Sequence, residues 1–182
     1  DLRNNSGIFR TVDGGLNWTR LTILGSSFLN TAVSRLDESN AIVFGTDVSN
    51  NTFHAYKSTD KGATWDAALH SDSLEFFSSF TINSQTVFAM SRSMDNFYIV
   101  KTTDGGDSWS IQKCNDLDPF GTSLFQCSFI NSLTGYVAGK QYSGPAGYKG
   151  RIFKTTNGGQ NWIYTQLADS TIGLAGVWAI NN

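Results

Sequence analysis

The stretch Ile99-Val100-Lys101-Thr102-Thr103-Asp104-Gly105-Gly106-Asp107-Ser108-Trp109 decides the fold. It reads as strand, tight turn, return strand. Ile99, Val100 and Lys101 make the first strand. The oxygens of Asp104 can accept hydrogen bonds from backbone N–H groups and hold the turn closed. Gly106, two residues on, supplies a positive φ at no steric cost. Trp109 opens the return strand with a large ring and one N–H to satisfy. Thr102, two before Asp104, adds a local hydrogen bond.

The same pattern occurs three more times without gaps: Ile8 to Trp18, Ala55 to Trp65 and Ile152 to Trp162. The key residues are Asp13, Gly15 and Trp18; Asp60, Gly62 and Trp65; Asp104, Gly106 and Trp109; and Asn157, Gly159 and Trp162. Asn157 keeps an amide oxygen that can still accept. Successive Asp/Asn positions are 47, 44 and 53 residues apart. A period near 45 is the size of a four-stranded propeller blade.

The pattern S/T-x-D-x-G-x-S/T/N-W resembles the Asp-box, or bacterial neuraminidase repeat. Its homes include sialidases, sortilin-type receptors, some glycoside hydrolases, and photosystem II assembly factors with their bacterial relatives. The resemblance implies an all-β propeller in which the boxes are structural. Phe129 to Gly139 is most similar in flavour to the photosystem-assembly type.

Each box is preceded by short apolar segments ending in Asn, Asp or Gly turns, so each unit supplies four antiparallel strands. Ala41–Gly45, Thr86–Met90 and Gly135–Gly139 are near-continuous apolar runs, which fit sheets covered on both faces. Ahead of them lie Ala32–Leu36, Ser79–Ile82 and Gln126–Ile130, and Gly176–Ile180 repeats that first strand at the end of the chain. The units fall at about 1–24, 25–72, 73–116, 117–169 and a partial 170–182, about four blades by repeat length. Joining tail to head leaves one unit without its second strand. The expectation is a segment of a larger propeller, of about six to eight blades, or a pairing of two copies.

The composition agrees. Of 182 residues, 40% are apolar and 13% aromatic, while only 15% are charged, which excludes disorder and favours a turn-rich β protein. A net charge of −2 gives no electrostatic case for nucleic acid. No run approaches the length of a membrane span. Cys114 and Cys127 lie 13 apart with no CxxC, so they read either as two buried thiols or as a disulfide pinning the loop between them. No motif calls for a metal or cofactor. Asp116 and Asp118 make a small acidic patch that reads as a solvated loop.

The sites weigh against catalysis. Sialidases need an arginine triad, a Tyr/Glu pair and an Asp acid/base. This chain has only two glutamates, Glu38 and Glu75, and no Arg-Ile-Pro motif. His54 and His70 have no partner motif. Arg10, Lys57, Lys101 and Lys154 recur three residues before each Asp/Asn and read as repeat features with their heads in solvent. The longest interval carries an extra loop, Lys140 to Gly150, in which Tyr142, Tyr148 and Lys149 are candidate contact residues. Asp47 to Thr52 joins the equivalent strands and emerges at the same end. The leading expectation is a non-enzymatic, extracytoplasmic scaffold that binds a protein or glycan. Alternatives are a carbohydrate-active propeller with catalytic residues partly outside the segment, and an assembly factor for a membrane complex.

Overall fold

The computed structural model describes residues 8–21, 28–47, 49–117, 120–166 and 174–180. Among them are fourteen strands, one short 3-10 turn and no α-helix. Strands β1 (Ile8–Arg10) and β2 (Thr19–Leu21) form a hairpin around the first repeated turn. Three four-stranded antiparallel sheets follow, each in simple up-and-down order. The first holds β3 (Phe28–Arg35), β4 (Ala41–Asp47), β5 (Thr52–Ser58) and β6 (Asp66–Ser71). The second holds β7 (Glu75–Thr81), β8 (Val87–Arg92), β9 (Phe97–Thr102) and β10 (Ser110–Lys113). The third holds β11 (Thr122–Phe129), β12 (Gly135–Tyr142), β13 (Tyr148–Thr155) and β14 (Ile163–Gln166). The chain is all-β, a stretch of propeller built from four-stranded blades.

The core lies between sheets. The second strand of each blade is closed to solvent on both faces, as Ile42–Phe44, Val87–Met90 and Val137–Ala138 show. Phe44 and Val87 meet in the cluster between the first two complete blades. Phe88 stacks on Phe129 at 4.1 Å between the second and third. Each such fully buried ring contributes about 1.5–3 kcal/mol.

The first strands stand side by side, β3 next to β7 and β7 next to β11. Each carries a bulge at the same register, between Asn30 and Ala32, Phe76 and Ser78, and Leu124 and Gln126. A bulge twists its strand and frees backbone groups from the ladder. Neighbouring blades use them: the Cys127 N–H donates to Ser78 Oγ at 3.1 Å.

Residues 174–180 repeat this contact. The Val177 N–H donates to Gln126 Oε1 at 3.3 Å and the Ala179 N–H to Ser128 Oγ at 3.0 Å. By the bulge register, Gln126 holds the position of Ser78, and Val177 that of Cys127. Gly176–Ile180 therefore lies where the first strand of a further blade belongs. The expected strand is nevertheless not formed there, because no second strand pairs with it among the described residues.

The disulfide alternative is corrected. Cys114 and Cys127 are both free and buried within one apolar cluster. Cys114 sits beside Trp162, whereas Cys127 Sγ lies 3.5 Å from Ser78 Oγ, so the two thiols face different partners. Burial pushes Cys114 up to about 12 and Cys127 up to about 11, which keeps both protonated.

Candidate functional site

The four repeated turns share one hydrogen-bond scheme. A hydroxyl leads each: Thr11, Ser58, Thr102 and Thr155 accept from the N–H of Gly15, Gly62, Gly106 and Gly159 at 2.8–2.9 Å. The same hydroxyls donate to Asp13, Asp60, Asp104 and Asn157. Those side chains in turn accept the backbone N–H of Asn17, Thr64, Ser108 and Asn161. The donors favour the charged carboxylate. Asn17, through its N–H and then its side chain, holds Asp13 at about 2, and the Thr64 hydroxyl and N–H hold Asp60 at about 2. The Ser108 hydroxyl and N–H hold Asp104 well below the usual carboxylate range.

The glycines do more than turn the chain. Gly106 and Gly159 have φ of +96° and +94°. A Cβ on Gly159 would lie 2.5 Å from Ile99 Cγ1, and one on Gly106 2.9 Å from Ile42 Cδ1, so each turn presses on the blade before it. Trp18, Trp65 and Trp162 donate Nε1–H to the carbonyls of Gly15, Gly62 and Gly159. Trp109 departs from this: its ring meets Phe44 edge-on at 5.7 Å and its buried N–H has no partner.

The recurring basic residues are not left with their heads in water. Arg10 Nη1 donates to the Lys61 carbonyl at 2.6 Å, and Lys57 Nζ pairs with Asp107 at 2.6 Å, each on the next turn along the chain. Lys101 and Lys154 lie over the rings of Phe88 and Tyr136, within cation–π range. Asp116 is exposed, as the solvated-loop reading expects, and accepts from Asn161 Nδ2 on the next blade's turn at 3.1 Å. Asp118, its acidic neighbour, lies outside the described residues.

What remains for recognition is the end bearing the β12–β13 connection. Tyr142 ends β12 and Tyr148 begins β13, across a short turn at Gly144–Ala146. Their rings meet edge-on at 5.5 Å and both are exposed. Lys140 Nζ lies 4.6 Å from the Tyr148 ring centre and 5.9 Å from that of Phe125, the bulge residue of β11. Lys149 is half-buried beside Tyr148. Below them Arg151 is only 5% exposed, lies 5.1 Å over Tyr164 and has only long contacts to Gln141, Ser143 and the Gly150 carbonyl. None of the ion pairs among the described residues includes it. The structure thus gathers Tyr142 and Tyr148 and adds Lys140 and Phe125, while the β12–β13 register turns Lys149 and Arg151 to the other face of the hairpin. Sequence reading missed Phe125, since it is a bulge residue.

Between the first two complete blades, at the same end, a cleft of about 570 Å³ is lined by Phe53, Asp72, Glu75, Arg92 and Met94 among others. Glu75 is spent in an ion pair with Arg92 at 2.7 Å. Glu38 lies at the opposite end of its sheet, in the β3–β4 turn. The two glutamates therefore cannot form the close carboxylate pair of a glycosidase.

No protein-family model matches the sequence, and neither does any curated protein. Solved structures do. A structure of YCF48 bound to D1 peptide aligns with a TM-score of 0.52 at 23% identity, over 76% of this chain and 40% of that one. A protein of unknown function from Dyadobacter fermentans DSM 18053 aligns with a TM-score of 0.55 at 20% identity, over 87% of this chain and 51% of that one. The chain thus spans about half or less of the structures it resembles, and what the likeness shows is the β-propeller fold.

Proposed function

We propose that this chain is a non-enzymatic β-propeller scaffold that holds an extended, acidic segment of a partner protein against the β12–β13 hairpin. The observation that carries the reading is the cluster there: two exposed tyrosines in contact and a lysine between two rings. Tyrosines give large contact area at low entropic cost. The Lys140 ammonium beside the rings suits a carboxylate through a charge-assisted hydrogen bond.

Support also comes from the peptide-bound state of YCF48, a neighbour of the same fold. A role in assembly, with the propeller holding a partner's segment, is the version of the reading that the resemblance of the repeats to photosystem-assembly propellers favours. The resemblance of the repeats to Asp-box propellers supports placing the protein outside the cytoplasm. A glycan ligand is the competing outcome.

The test is a side-by-side screen of an acidic peptide array and a glycan array. Selective peptide capture, weakened about tenfold or more by Tyr142→Ala and Tyr148→Ala, is expected. Selective glycan capture without peptide binding overturns the reading, as does peptide binding indifferent to both substitutions.

A further inference from the structure

The histidines of this chain, His54 and His70, are the only two it has. They are 16 residues apart in sequence, yet β5 and β6 bring them directly opposite one another. Their Nδ1 atoms are 3.4 Å apart and their ring centres 4.7 Å apart. His54 stacks on Tyr56 at 5.4 Å, while the His70 side chain is 55% exposed.

The tautomers follow from the outer nitrogens. His70 Nε2 lies 2.9 Å from a carboxylate oxygen of Asp72. An ionised carboxylate only accepts, so that nitrogen bears a proton. His54 Nε2 lies 2.8 Å from Thr52 Oγ1. The Thr52 hydroxyl donates to Asn50 Oδ1, an atom fixed as the oxygen because it also receives the Thr52 backbone N–H. Thr52 Oγ1 is thus left to accept, and His54 Nε2 also bears a proton.

In their neutral forms, therefore, both rings turn an Nδ1 lone pair towards the other with no proton between them. Two facing lone pairs at that distance repel unless a cation joins them. A tetrahedral zinc with Zn–N bonds of about 2.0–2.1 Å needs its nitrogens roughly 3.3–3.4 Å apart. The observed separation matches. The outer partners match as well, since metal-bound histidines usually donate the other ring N–H to a carboxylate or other oxygen.

We propose that His54 and His70 bind one zinc-class divalent ion through their Nδ1 atoms, with Asp72 and Thr52 orienting the rings. Among the described residues no group of three or more His, Cys, Asp or Glu could hold a metal ion, so water or an external donor completes the coordination. The inference does not depend on the peptide reading of the β12–β13 hairpin.

The test is titration of the tag-free chain with Zn²⁺, following both imidazole rings by NMR, and with Co²⁺, following visible absorption. One equivalent should shift both rings together, and Co²⁺ should give the intense bands of a tetrahedral site. His70→Ala, at an exposed position, should abolish the response while leaving circular dichroism unchanged. Asp72→Asn should weaken binding about tenfold. Binding that survives His70→Ala overturns the proposal. So does a pair that titrates with a shared proton and shows no response to either metal.

Discussion

At the residue scale, the repeated turns concentrate charge where the chain reverses. Asp13, Asp60 and Asp104 are each stabilised as carboxylates by donors four residues on. Their pKa values are depressed in the folded state, so the stabilisation is full above the unfolded value of about 4. It is lost as pH falls through the folded values, near 2 for Asp13 and Asp60. Urea unfolding midpoints should therefore drop steeply between about pH 4 and pH 2. Asp104→Asn should be less stable than the parent at neutral pH, with the gap closing across that window. A gap that stays constant with pH would remove the carboxylate from the account. Asn157 shows how the amide copes: it accepts the Asn161 N–H and donates to that residue's side-chain oxygen.

At the element scale, the four hairpins share a pattern but not an environment. Trp162 is 3% exposed against Phe129, whereas Trp18 is 59% exposed on the β1–β2 hairpin. Trp162→Ala should cost about 3–5 kcal/mol. Trp18→Ala should cost under about 1 kcal/mol. Denaturant midpoints of the two variants settle it, and equal losses would mean that the turn, rather than the packing, sets the cost. The turns and strands could be read from sequence because their signals are local: hydroxyl, acid, glycine and tryptophan fall within eight positions. The histidine pair could not. It depends on the β5–β6 register, which shifts between Ala55 and Tyr56, so counting alternate residues along the strands does not reveal it.

At the scale of the whole molecule, stability runs from blade to blade, as in other repeat arrays. Ser78→Ala would leave the buried Cys127 N–H without its acceptor, at about 1–3 kcal/mol. Amide exchange should rise at Cys127 and across β7 and β11 together. A rise confined to β7 would show that the blades are not coupled there. This contact was hidden in the sequence because its acceptors differ in kind, Ser78 in one blade and Gln126 in the next, and lie 49 and 51 residues from their donors. The arrangement of the β12–β13 cluster was half visible, through its tyrosines and its length, and Phe125 emerged only once the bulge of β11 placed it beside Lys140.

The Ser78 and Gln126 contacts also have a direction. At both of these junctions the preceding blade offers a side-chain acceptor and the following strand supplies a backbone donor, so the two faces that meet are unlike. Such surfaces are heterologous: they join head to tail and cannot meet their own kind across a two-fold axis. Any further blade that continues this contact, whether from the same polypeptide or from another copy, must enter in the same rotational sense. Copies joined through these faces would therefore close as a ring, of two members where each spans half the circle, or run on as a filament.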